Sequence, residues 1–143
     1  MDPLLSRLSY LLGRLYMTSL TLETEALEDL GVDVKQQAVL TFLAEIGPVT
    51  QQQLGQRIGI DRTTIVTLVD GLEQHGYVER ERSPHDRRAY QLTLTDTGRA
   101  AQKTGHKRVA KAERALLDNL TGPERDTLKR LLAKAVQERS THL

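Results

Sequence analysis

A chain of 143 residues with 38% hydrophobic side chains can bury one modest core, so a single domain with helical extensions is expected. It has no cysteine, which excludes disulfides, thiolate metal sites and thiol switches, and no apolar run approaches the roughly 20 residues that cross a bilayer. The net charge is only +1, but residues 1–50 carry three Lys/Arg against seven Asp/Glu while residues 77–114 carry ten against five, so one edge of the molecule is basic and suited to phosphate. Without a secretory leader pattern or a membrane span, a soluble cytoplasmic protein is expected.

The first predicted element is a helix near the start, where Leu4, Leu8, Leu11, Leu12 and Leu15 form an apolar stripe. A second helix begins after Asp33, with Gln36 at the capping-box position, and runs to about Ile46; Gly47 and Pro48 then interrupt the pattern. Next comes TQQQLGQRIGIDRTTIVTLVDGLEQHG, residues 50–76, which spells two short helices joined by a tight turn. Thr50 and Gln53 form a capping box, Val49 and Leu54 a hydrophobic staple, and Gly59 sits where a helix C-terminus needs a left-handed residue. Asp61 caps the second helix. Ile65, Leu68, Val69 and Leu72 recur at the spacing of one buried face, leaving Arg62, Thr63 and Thr67 on a short polar face able to approach base edges; Gly76 ends the helix.

Tyr90, Leu92 and Leu94 alternate with polar residues in the pattern of a half-buried strand, whose partner is the weaker strand signal of residues 77–82. Between them, the loop of residues 83–89 has turn formers, His85 and the adjacent Arg87 and Arg88: a basic hairpin tip placed to meet phosphates or a minor groove. Thr95 caps a long helix carrying Val109, Ala112, Leu116, Leu117 and Leu120, expected to end near Asn119. Thr121 and Glu124 open a last helix, with Pro123 early in it and a stripe of Leu128, Leu131, Leu132 and Ala135. The apolar stripes of the first and last helices exceed what the middle of the chain can cover, so a second copy of the chain is the expected partner. Lys103, Lys107, Arg108, Lys111 and Arg114 read as a solvated helix face.

The order of a capped helix, GIDRTTIVTLVDGLEQHGYVER, the wing SPHDRRAYQLTLTDTG and a long following helix resembles the multiple-antibiotic-resistance regulator (MarR) family. The likeness spans nearly the whole chain and is most specific from Leu54 to Gly98, at the Asp86-Arg87-Arg88 wing tip and the Leu-Thr-x-Thr-x-x-Gly exit. It implies a mainly α fold with a small β-hairpin wing: an N-terminal dimerisation region over residues 1–32, a winged helix-turn-helix lobe over 33–96 and C-terminal dimerisation helices over 97–143. It further implies a homodimeric transcription regulator, usually a repressor, on near-palindromic double-stranded DNA, often released by a small aromatic or anionic ligand. Carried over by position, Arg62, Thr63, Thr64 and Thr67 belong to the recognition helix. Thr50 and Gln51 start the preceding helix at the DNA. Arg82, His85, Arg87 and Arg88 make the wing contacts, with Asp86 supporting the arginines. Thr67 departs from relatives with a long basic side chain there, so their base preference does not transfer.

By the same resemblance a ligand cleft draws on Tyr10, Arg14, Met17 and Gln36, Arg14 pairing with a carboxylate. No catalytic residue, cofactor or metal is expected, because the chain has no phosphate-binding glycine loop, no nucleophile elbow and no paired histidines among His75, His85, His106 and His142. His75 and His106 read as plain surface or interface positions. Two other readings fit the sequence: a winged-helix module for protein contact, and an activator without a ligand.

Overall fold

The computed structural model describes residues 1–86 and 88–140, the side chains of 138–140 excepted. Arg87 of the wing and His142 lie outside the described residues. A 3-10 turn, Pro3–Ser6, comes before helix α1, Leu8–Leu27, which corrects the expectation of one helix from about Leu4. Asp2 caps the turn by accepting from the Leu4 N–H (2.9 Å), and Arg7 then takes an extended conformation (φ −95°, ψ 116°) that breaks the helical path. Helix α2, Val34–Ile46, starts at the expected box: Asp33 accepts from the Gln36 N–H (2.7 Å) and Gln36 from the Asp33 N–H (3.0 Å).

Strand β1, Val49–Thr50, leads into α3, Gln51–Ile58, and then α4, Arg62–Gln74. Strands β2, Val78–Arg82, and β3, Tyr90–Leu94, form the expected hairpin, with Val78 opposite Leu94 and Arg82 opposite Tyr90. The sheet has a third member that the sequence reading lacked, since β1 pairs antiparallel with β3 through Val49 and Leu92, giving the order β1-β3-β2. Two residues are too few to show a period of two. Helix α5, Asp96–Leu116, ends about a turn before the expected Asn119, because Leu117 leaves helical geometry (φ −109°, ψ 29°) and the Thr121–Glu124 box restarts the chain as α6, Gly122–Ser140.

Each predicted cap in the middle of the chain forms. Thr50 Oγ1 accepts from the Gln53 N–H (3.1 Å), and Gly59 closes α3 at φ 70°, a left-handed conformation that glycine adopts without steric cost. Asp61 accepts from both the N–H (3.0 Å) and the hydroxyl (2.6 Å) of Thr64. At the far end of α4 the Tyr77 N–H reaches back to Leu72 O and the Gly76 N–H to Glu73 O, a Schellman closure. His75, the cap residue there, stacks on Tyr77 (ring centroids 5.4 Å apart), whose hydroxyl donates to Leu30 O (2.7 Å).

One core joins these elements: Leu27 from α1, Val39, Leu40 and Leu43 from α2, Leu54 from α3, Ile65, Leu68, Val69 and Leu72 from α4, and Val78 and Leu92 from the hairpin. Helix α1 also packs along α5. Arg108 departs from the expected solvated face: it pairs with Asp29 and donates to Ala26 O (3.3 Å), tying α5 to the end of α1. Where β3 turns into α5, the Thr95 N–H donates to Tyr77 O (3.1 Å), the Thr95 hydroxyl donates to Gly76 O (2.6 Å), and the Gly98 N–H donates to that hydroxyl (2.9 Å). The first turn of α5 thereby lies so close to Tyr77 that any Cβ at position 98 would strike its carbonyl oxygen, which explains the Thr-x-x-Gly exit.

Two outcomes follow from these contacts. Gly98→Ala forces the hairpin and α5 apart and lowers stability by about 1–3 kcal/mol, the usual cost of backbone displacement, which urea titration measures; an unchanged midpoint would show that the corner yields freely. Asp61's carboxyl sits below its ordinary pKa, chiefly because the Thr64 hydroxyl and then the Thr64 N–H bond its ionised form. A depressed carboxylate stabilises the fold above its unfolded pKa and loses that contribution as pH falls through the folded one. The stability advantage of wild type over Asp61→Asn, which caps without ionising, should therefore shrink in melts taken from pH 5 to below about pH 4.

Candidate nucleic-acid interface

Because Ile65, Leu68, Val69 and Leu72 are buried, the other side of α4 must face water, and Arg62, Thr63 and Thr67 are exposed there. Thr67 Oγ1 donates to Thr63 O (3.3 Å), so its methyl points outward with a hydroxyl that still accepts. Thr64 is different. It is half-buried and its hydroxyl is spent on Asp61, leaving a capping residue with little to offer a base edge. Thr50 and Gln51 are likewise engaged: the Thr50 hydroxyl caps α3, and Gln51 Oε1 accepts from Arg80 (3.1 Å). Gln52 and Gln56, exposed four residues apart on α3, line a cleft of 420 Å³ together with Arg62, and the sequence reading passed over both. Their spacing on one helix face was the available signal.

In the wing, Asp86 accepts from the backbone N–H of Arg88 (2.9 Å), so the carboxylate shapes the turn that presents Arg88. The Ser83 N–H donates to Ala89 O (2.9 Å) and the Ala89 N–H to Asp86 O (3.1 Å), closing the tip. His85 and Arg88 are exposed, and the Arg82 guanidinium lies 6.0 Å from the centre of the Tyr90 ring across the hairpin.

Arg80, absent from the sequence-based set, connects these parts. From β2 its guanidinium donates to Glu73 (2.9 Å) and Asp70 (3.0 Å) on α4 and to Gln51 on α3. Each pair is partly exposed and worth at most about 1 kcal/mol, but the three bonds together fix the angle between wing strand and recognition helix. No local pattern announces Arg80, because its partners lie 7, 10 and 29 residues away.

The residues expected at a ligand cleft do not converge in the chain. Arg14 Nη1 donates to the Tyr10 hydroxyl (3.3 Å) and the guanidinium lies 5.9 Å from that ring, while Met17 is exposed on α1. Gln36 serves the α2 cap and donates to Leu68 O (3.4 Å) on α4. A separate cleft of 540 Å³ opens between α1, α2, α5 and α6, and His106, expected at a plain surface or interface position, lines it. Among the described residues no group of three His, Asp or Glu side chains could hold a metal ion, and no helix is long and apolar enough to cross a membrane.

The family profile described as MarR family matches residues 30–89. The transcriptional repressor CouR, solved on a 23-mer DNA duplex, is 32% identical and superimposes with a TM-score of 0.86 over 95% of this chain and 96% of that one. Escherichia coli MarR in complex with operator DNA is 27% identical, with a TM-score of 0.79 over 94% and 99%. The Bacillus subtilis HTH-type transcriptional regulator YdgJ is 29% identical over 104 residues, 73% of this chain; the match spans 63% of that protein's length. Helices, short three-stranded sheet and matches agree: the chain belongs to the MarR family of transcriptional regulators and has its winged helix-turn-helix fold.

Proposed function

We propose that the chain is a homodimeric repressor that binds near-palindromic operator DNA and leaves it when a small molecule binds. The observation that carries DNA binding is the division of α4: its buried stripe immobilises the helix while Arg62, Thr63 and Thr67 remain exposed, beside a wing that exposes Arg82, His85 and Arg88. Arg62, Thr63 and Thr67 enter the major groove, with Thr64 holding the helix start. Arg88 reaches the minor groove and Arg82 and His85 meet phosphates, while Thr50 and Gln51 bring the start of α3 against the backbone. CouR and MarR, both similar to this chain, are solved on DNA, and CouR is named a repressor.

The dimer rests on apolar surface that the chain leaves uncovered. Leu8, Tyr16 and Met17 on α1 are 69%, 63% and 64% exposed, and on α6 Leu131 and Val136 are 51% and 68% exposed. Water contact along two whole helix stripes is costly, and a symmetric copy offers the same stripes in return. Residues 1–32 and 97–143 are accordingly the dimer arms, carrying two lobes of residues 33–96 to half-sites about 10 base pairs, or a multiple, apart.

Fluorescence anisotropy on a duplex from the gene's own upstream region, against a scrambled duplex and across a salt series, tests the first part. Selective binding that weakens steeply with salt is expected, and Arg88→Ala should weaken both duplexes and reduce the salt slope by about 1; equal, salt-insensitive binding by wild type and Arg88→Ala would favour a protein-contact module. Light scattering tests the second: at micromolar concentration the mass should be twice the 16.1 kDa of one chain, and Leu8→Glu with Val136→Glu should shift it toward the monomer. A monomeric wild type would remove the dimer.

A further inference from the structure

The 540 Å³ cleft between α1, α2, α5 and α6 has an apolar wall of Val34, Ala38, Phe42, Ile58 and Val109. Its polar groups are mostly acceptors. Gln37 is 5% exposed; its amide nitrogen donates to Gln102 O (3.2 Å), which orients the amide because a backbone carbonyl can only accept, and its Oε1 is left buried with no partner. A buried acceptor without a donor is costly, and the cleft it lines is where a donor can come from.

Three carboxylates, Glu23, Glu45 and Glu113, share this lining with two basic side chains, Lys129 and His106. Lys129 is already committed, donating to Glu113 at 3.0 Å. Among the described residues neither Glu23 nor Glu45 has an ion-pair partner. Burial raises the Glu23 carboxyl above its ordinary pKa, the Ser19 hydroxyl works against that rise, and nearby Glu113 adds to it. An incoming cation relieves both the desolvation and the repulsion, whereas an incoming carboxylate worsens both.

We propose that this cleft binds a small organic ammonium ion, its N–H groups donating to Gln37 Oε1 and the Glu23 carboxylate and its alkyl or aryl part lying on Phe42 and Ile58. The proposal names the class of the releasing ligand and rests on the reading of the chain as a ligand-responsive regulator. It differs from the aromatic acid implied by family resemblance, because Arg14, the residue that would pair with an acid, is not among the residues lining this cleft.

Calorimetry on the full chain without DNA tests it, with 2-phenylethylamine, hexylamine, 2-phenylethanol and 3-phenylpropionate as probes. The amines should bind saturably, at least tenfold tighter than the alcohol or the acid. Glu23→Gln and Gln37→Leu should each weaken amine binding about tenfold while leaving the alcohol nearly unchanged. Glu45→Gln, at an exposed position that the fold tolerates, should weaken it severalfold and serves if the buried variants fail to fold. An acid that binds as tightly as the amines, amines without saturable heat at millimolar concentration, or folded variants that bind amine as wild type does would each overturn the assignment. Amine binding in a protein that never binds DNA would keep the cleft and sink the regulator; operator binding by a protein indifferent to amines would do the reverse.

Discussion

Because α4 has one apolar stripe, burying Ile65, Leu68, Val69 and Leu72 leaves a single rotation about the helix axis open to it, and that rotation turns Arg62, Thr63 and Thr67 outward. The same core holds Leu54 of α3 and Val78 and Leu92 of the hairpin, so the two helices of the motif and the wing cannot move independently without opening it. Arg80 adds little energy to this arrangement but much direction, since a planar guanidinium bonded to Asp70, Glu73 and Gln51 satisfies all three only over a narrow range of angles.

The helix starts were legible because their chemistry is local. Asp33 with Gln36, Thr50 with Gln53, Asp61 with Thr64, and Thr121 with Glu124 each close over three residues, and a side chain that accepts from an orphan N–H marks the same position in sequence and in structure. The alternation of Tyr90, Leu92 and Leu94 identified β3 for a similar reason. What escaped was set by distant pairing. β1 is a strand only because Val49 meets Leu92, and Gln37 is buried polar only because Gln102 lies across from it, 65 residues later. Likewise the first helix appeared continuous in its leucines, and only the extended backbone at Arg7 divides it.

The polar positions divide in the same way. Asp86 was legible as a support because an aspartate two residues before the arginine it organises is local turn chemistry, and its bond to the Arg88 N–H is of that kind. Thr64 looked equivalent to Thr63 and Thr67 in sequence, yet one hydrogen bond to Asp61 removes its hydroxyl from the surface. A threonine near a helix start has two competing uses, and the presence of an acidic cap three residues earlier decides between them.

Helix α2 joins the cleft to the recognition helix through adjacent residues. Gln36 donates to Leu68 O of α4, while Gln37 donates to Gln102 O of α5 and lines the cleft. A ligand that engages Gln37 therefore acts on the helical turn whose other glutamine touches α4. Ligand binding shifts an equilibrium only to the extent that the ligand prefers one state, and a buried acceptor that is unsatisfied in the empty cleft supplies such a preference. Coupling of this kind needs no long pathway, since the cleft and the core of the DNA-binding lobe lie on two sides of one helix.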